Sequence, residues 1–196
     1  MAKLLFQGHG SFRLTSDAGQ VVYVDPFAGE GYDVPADLIL VSHGHDDHNQ
    51  IGLCAQKPGC RIITNEEALA GGRHNSFDID GIGIEAVQAY NKNHNVNECV
   101  GFIITIDGVK IYASGDTSTT EQMATFAARG LDYAILCGDG IYNMDMAEAA
   151  ECAKIIGAKR NIIIHLTPDA DEHAKKAATW DAPNALFVAM GEEIVL

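Results

Sequence analysis

Six consecutive residues, His43-Gly44-His45-Asp46-Asp47-His48, bring three imidazoles and two carboxylates together directly after the apolar run LILVS. A packed core has no use for that density of donors, because every buried polar group needs its own partner. Imidazole nitrogen and carboxylate oxygen are ligands for zinc, manganese or iron. His43 and His45 are two residues apart, so in an extended segment they point the same way, as two imidazoles on one ion would. Asp47 and His48 are adjacent and project differently, which suits a second ion beside the first. Two such ions could share one activated water and stabilise an oxyanion.

Two distant residues repeat the pattern. The run IYASG ends at Asp116, and NIII ends at His165. In open α/β sheets, ligands collect beyond the carboxyl ends of strands. A shared sheet rim would therefore bring His43, Asp116 and His165 together.

The elements that must do this positioning are readable from pattern. KLLFQ, SFRLT and QVVYVDP read as early strands separated by turn residues, and DLILVSH as a strand covered on both faces. RIITN and IGIEAVQ are further strands, with a helix expected over 65–71. VGFIITIDGVKIYASGD reads as two strands turning at Asp107-Gly108. TTEQMATFAARG is expected to be a helix, with Thr119 and Gln122 as a capping box, Met123, Phe126 and Ala127 as its apolar stripe, and Gly130 as its stop. DYAILCG and NIIIH are strands. DMAEAAECAKIIG is a helix capped by Asp145, DADEHAKKAAT another, and ALFV and EIVL are closing strands. Early meanders followed by alternating strands and helices imply an α/β (α+β) fold of sheets with helices outside, in a single domain over residues 1–196.

Composition narrows the function classes. The formal net charge of −14 repels phosphate backbones, so no nucleic-acid partner is expected. No apolar run is long enough to span a bilayer, and the opening MAKLLFQGHGSF is unlike a secretory signal, so no membrane partner and a cytoplasmic location are expected. The five cysteines (54, 60, 99, 137 and 152) are odd in number and contain no CxxC. They read as reduced, small apolar residues, with Cys137 inside a buried strand. The isolated histidines His9, His74 and His173 read as ordinary core or surface residues.

The run HGHDDH matches the HxHxDH signature of the metallo-β-lactamase fold superfamily. GHGSFRL and VVYVDP resemble the start of a small branch of metal-dependent hydrolases that includes ascorbate-6-phosphate lactonase-like proteins. AYNKNH with GFIITIDGVKIYASGDT resembles the middle of that branch, and IIIH its last histidine. The resemblance implies a four-layer αββα sandwich and two divalent metal ions, zinc foremost, with manganese or iron as alternatives. It places His43 and His45 on the first ion, Asp47 and His48 on the second, Asp116 between them, and His165 on the second. Asp47 would also serve as the general base. Many relatives carry a third histidine for the first ion as A-x-H; this chain reads Ala89-Tyr90-Asn91, with His94 the nearest histidine. His94 is assigned to the ion, with Asn91 the competing donor. His9 would lie near the metals as a supporting donor or substrate contact. Asp25 fixes a turn or orients a ligand histidine, and Thr117 could bond the neighbouring Asp116.

The expected activity is hydrolysis of a small ester, lactone, amide or phosphodiester by metal-activated water. The alternative is a non-catalytic metal-binding or sensor protein of the same fold; di-iron redox chemistry is a third reading. A small-molecule substrate would be selected by the loops 28–36, 71–76 and 138–144. Tyr32, Arg73, Tyr142 and Met144 are the candidate pocket residues. Arg73 is the cation that an anionic substrate would need, and Tyr142 is its companion as a substrate contact. Outward-facing helices leave a homo-oligomer open.

Overall fold

The computed structural model describes all residues, Met1–Leu196. Strands β1 (Lys3–Gly8), β2 (Ser11–Thr15), β3 (Val21–Val24), β4 (Ala36–Val41), β5 (Gln56–Thr64) and β12 (Glu193–Val195) form one mixed sheet in the order β12-β1-β2-β3-β4-β5. Strands β6 (Ser76–Ile79), β7 (Ile82–Gln88), β8 (Val100–Ile106), β9 (Val109–Ala113), β10 (Tyr133–Cys137) and β11 (Arg160–Ile164) form a second, in the order β11-β10-β9-β8-β7-β6. β3, β4 and β5 run parallel, as do β9, β10 and β11.

Alternation along the strands makes the sandwich. Leu4, Phe6, Leu14, Val24, Leu38 and Leu40 of the first sheet meet Ile84, Phe102, Ile104, Ile135 and Ile162 of the second in one core. The opposite face of the second sheet, including Ile103, Tyr112, Leu136 and Ile163, packs under α2 (Met146–Ile156) and the helical segment Glu121–Arg129. Ile39, Val41 and Tyr23 on the outer face of the first sheet are covered by the 26–36 loop, through Tyr32 and Val34, and by the turn Ile51–Leu53. The remaining helices are α1 (Asn65–Ala68) and α3 (Ala170–Ala177).

Local expectations fared unevenly. Asp107 (φ 50°) and Gly108 (φ 78°) make the two-residue hairpin between β8 and β9. Asp145 caps α2 by accepting from Glu148 N. The segment after Thr120, however, is a 3-10 helix, and neither half of the expected capping box caps it. Thr119 instead bonds the Glu148 carboxylate, and Gln122 Oε1 accepts from Gln88 N. Tertiary partners thus took both polar groups. The helix expected over 65–71 stops at Ala68, before the left-handed glycines 71 and 72. ALFV is no strand: only Ala185 makes an isolated bridge, to Asn161. β6 was not anticipated, although Asp80-Gly81 repeats the Asp-Gly turn signal.

What matters for function is where strands end. β4 runs into Ser42 and His43, β9 into Asp116, β11 into His165, and β7 into the 89–94 loop. Ser42 O accepts from Val100 N at 3.0 Å, which stitches the rims of the two sheets together.

Candidate metal centre

At this rim the donors fall into overlapping groups. One atom each from His43, His45 and His94 lies within 4.8 Å of the others, and the same holds for His9, Asp47, His48 and His165, and for His43, His48 and Asp116. Asp116 sits in the middle. Its Oδ1 is 3.3 Å from His48 Nε2 and 3.4 Å from His165 Nε2, and its Oδ2 is 3.3 Å from His94 Nε2. Asp116 Oδ1 and His94 Nε2 are buried without any hydrogen bond. His48 Nε2 and His165 Nε2 stand 3.3 Å apart. Two imidazole nitrogens on one tetrahedral zinc would stand roughly 3.3 Å apart, given Zn–N bonds of about 2.0–2.1 Å. Orphaned donors at such separations fit divalent cations better than they fit one another.

The outer nitrogens explain why the inner ones face inward. His48 Nδ1 donates to Asp25 Oδ2 at 2.9 Å. The same carboxylate accepts from Ser42 N and Ser42 Oγ, both at 2.7 Å. Because Ser42 Oγ spends its proton on Asp25, it can only accept from His43 Nδ1, 3.0 Å away. His94 Nδ1 donates to Asn91 Oδ1 at 3.0 Å. His165 Nδ1 faces Asp139 Oδ2 at 3.2 Å, an ion-pair distance but off the line of a straight N–H bond. For His48, His43 and His94 Nδ1 is hydrogen-bonded, for His165 it faces a carboxylate, and in all four Nε2 turns toward the cluster, that of His43 lying 3.0 Å from His45 Nδ1.

Ala89-Tyr90-Asn91 does not put a histidine at the strand end; a tight turn does. Asn91 and His94 exchange two backbone hydrogen bonds of 3.1 and 3.2 Å, folding His94 back to the rim. His94 therefore faces the cluster and Asn91 orients it. Thr117 does not bond Asp116. Its hydroxyl serves the Tyr90 backbone, receiving from Tyr90 N at 3.0 Å, and so fixes the start of that turn.

Backbone strain concentrates here. His9, Asp25 and His165 are non-glycine residues with φ of 51°, 47° and 57°, a conformation costing on the order of 1–3 kcal/mol each. Gly10 is required for another reason: a Cβ there would lie 2.9 Å from the His48 ring. His9 departs from the ordinary role expected of an isolated histidine. Its Nε2 is 3.0 Å from Asp47 Oδ2, and its ring centroid is 3.7 Å from that of His165.

The protein's own charges polarise the site. Burial pushes His43 down to about 4, assisted by His48. Burial would also lower His48, but Asp25 and Asp116 outweigh it and hold it well above the usual histidine value. Burial would raise Asp116; His48, His94 and His165 instead keep it ionised. The His9 hydrogen bond holds Asp47 well below the carboxylate range. Burial likewise opposes Asp139 ionisation, yet His165 and the Ile141 and Asn143 amides bring it down to about 2.

A cavity of about 340 Å³ opens over the cluster, lined by His45, Asp47, Asn93, His94, Asp116, Tyr142 and His165. Of the proposed pocket residues only Tyr142 lies there. Arg73 is exposed on another loop, with its Nε on Asn75 Oδ1, and is not among the cavity's lining residues. The Tyr32 hydroxyl is tied to Ala28 O, and Met144 is buried beneath α2. Asp139, Asn143 and Ser42 are the site residues that sequence reasoning missed.

A two-sheet sandwich with a histidine–aspartate cluster at its rim defines a metallo-β-lactamase-like protein, and comparison with known proteins agrees. The model for the beta-lactamase superfamily domain matches residues 3–165, and the chain belongs to that family. A UPF0173 metal-dependent hydrolase from Thermococcus kodakarensis is 28% identical over 228 aligned residues, covering 100% of both chains. A crystal structure described as a metal-dependent hydrolase from Parabacteroides distasonis superposes with TM-score 0.76 at 28% identity, covering 95% of this chain and 92% of that one. The metallo-β-lactamase fold protein YhfI from Bacillus subtilis has TM-score 0.73 at 15% identity over 100% of both chains, a likeness of fold alone. No helix is long and apolar enough to cross a membrane.

Proposed function

We propose that the chain is a dinuclear metal-dependent hydrolase acting on a small ester, lactone, amide or phosphodiester. The carrying observation is the convergence of the buried His48, His94 and His165 nitrogens on Asp116, with Asp116 Oδ1 and His94 Nε2 lacking any hydrogen bond. His43, His45 and His94 would hold one ion, Asp47, His48 and His165 the other, and Asp116 would serve both. Bound there, divalent ions, zinc foremost, would activate a water near neutral pH and stabilise developing negative charge. Asp47, kept ionised by His9 and facing the cavity, would hold a proton from that water or pass it to a leaving group. Tyr142, 63% exposed at the cavity mouth, would contact the substrate. No lysine or arginine lines the cavity, so the side chains themselves offer an anion no fixed cation. The metal-dependent hydrolases among its relatives support the same reading.

The test is hydrolysis of a panel of esters, lactones, amides and phosphodiesters by metal-depleted protein, with zinc or manganese added back. Turnover that appears on add-back and is absent in His45→Ala supports the reading. Turnover unchanged by metal depletion contradicts it.

A further inference from the structure

Each histidine of the cluster needs the correct nitrogen protonated, and for His94 and His165 that requirement converges on one loop, residues 139–143. Asp139, its side chain 9% exposed, accepts from Ile141 N, Tyr142 N and Asn143 N through Oδ1. Its Oδ2 faces His165 and also accepts from Asn143 Nδ2 at 3.1 Å. Asn143 Oδ1 accepts from Asn91 Nδ2 at 3.1 Å, and Asn91 Oδ1 accepts from His94 Nδ1 at 3.0 Å. The polarity of this chain has one solution. An ionised carboxylate only accepts, so Asn143 must turn its NH₂ toward Asp139 and its oxygen toward Asn91. Asn91 must then present its own NH₂ to Asn143 and its oxygen to His94, an orientation that Asn93 N reinforces by donating to the same oxygen at 2.8 Å, so His94 must carry its proton on Nδ1. Bonds aligned in this sense polarise one another.

We propose that Asp139, Asn143 and Asn91 are positioning residues that set the tautomer and aim of His94 and His165 together, so that both metal groups depend on a carboxylate that touches only one of them. The inference rests on the metal-binding role given above to these histidines. The same loop carries Tyr142, whose backbone oxygen accepts from Asn93 Nδ2 at 2.8 Å, a second tie between this loop and the turn that holds His94.

The experiment uses the whole protein labelled with ¹⁵N at histidine. In the metal-depleted protein, ring ¹⁵N shifts should report His94 as the Nδ1–H tautomer. Asp139→Asn removes the charge but keeps the shape, and should weaken zinc binding at the His94 group as well as at the His165 group, although Asp139 does not touch His94. Asn143→Leu should weaken zinc binding at the His94 group by about 10- to 100-fold in competition with a chromophoric chelator. Adding Asn91→Asp, which gives His94 its own carboxylate, should restore that affinity in the double variant. An Nε2–H tautomer of His94 in the wild type, unchanged zinc affinity at the His94 group in Asp139→Asn, zinc affinity within twofold of wild type in Asn143→Leu, or failure of the rescue would overturn the proposal. Wild-type protein that takes up no zinc would instead contradict the hydrolase reading, and the tautomer measurement does not depend on it.

Discussion

The two sides of the cluster share the same two supporting carboxylates but at different remove. On the side of His48 and His165, Asp25 and Asp139 face the imidazoles directly, at 2.9 and 3.2 Å. On the side of His43 and His94, the same carboxylates act through neutral relays, Ser42 for one and Asn143 with Asn91 for the other. Backbone strain is equally uneven: the left-handed residues His9, Asp25 and His165 all serve the His48 side. His45, on the other side, is exposed. A directly paired imidazole is a more basic ligand than a relayed one. The His48 side should therefore hold its ion tightly and the His43 side exchange its ion more freely.

The largest effect is expected where the two sides meet. Asp116→Ala should remove both ions and abolish hydrolysis, a loss beyond the 10- to 100-fold typical of a supporting partner. Elemental analysis together with the substrate panel reads it. Retention of one tightly held ion would show that Asp116 serves one side alone.

Next comes a pair of substitutions that separates direct from relayed support. Asp25→Asn should weaken both ions, the His48-side one by about 10- to 100-fold. Ser42→Ala should weaken the His43-side ion more than the His48-side one, which keeps its direct contact with Asp25. Equal losses at both ions in Ser42→Ala would erase the distinction.

A third prediction uses a histidine outside both groups. His173 is fully buried against Phe6, and burial lowers it from 6.5 to about 4. The unfolded chain therefore binds more protons between these values. Stability is complete above pH 6.5 and falls as pH drops toward 4, by at most about 1.4 kcal/mol per pH unit. In metal-depleted protein, His173→Phe should flatten that slope in urea melts between pH 7.5 and 4.5. It should not remove the slope, because His43 also sits near 4. An unchanged slope would mean His173 is protonated in the fold.

The smallest effect is expected at the cavity mouth. Tyr142→Ala should raise KM about 2- to 10-fold, the worth of one partly buried aromatic contact, with kcat nearly constant. A fall in kcat with constant KM would place Tyr142 in the chemistry.

The proposed ligands were more legible in the sequence than their supports. His43, His45, Asp47 and His48 announce themselves by density, and Asp116 and His165 by ending apolar runs. Ser42, Asp139 and Asn143 gave no such sign, because serine, aspartate and asparagine in loops ordinarily serve turns. His94 could be placed only against Asn91, since a four-residue reversal moves a donor in ways no period describes. Thr119 and Gln122 matched a local capping rule, but partners on α2 and β7 claimed them. Arg73 was chosen for its charge, and charge alone does not say which loop reaches the cavity. The strands, by contrast, stand out as apolar runs bounded by turn residues, so most of both sheets could be read directly, while the four-layer αββα arrangement came from the family resemblance.

The most direct test is a zinc titration of metal-depleted wild type and His45→Ala by competition with chelators of graded affinity. The account predicts two unequal equivalents in wild type and, in His45→Ala, loss of the weaker one while the tighter persists. A single equivalent in wild type, or loss of the tighter ion in His45→Ala, would contradict it.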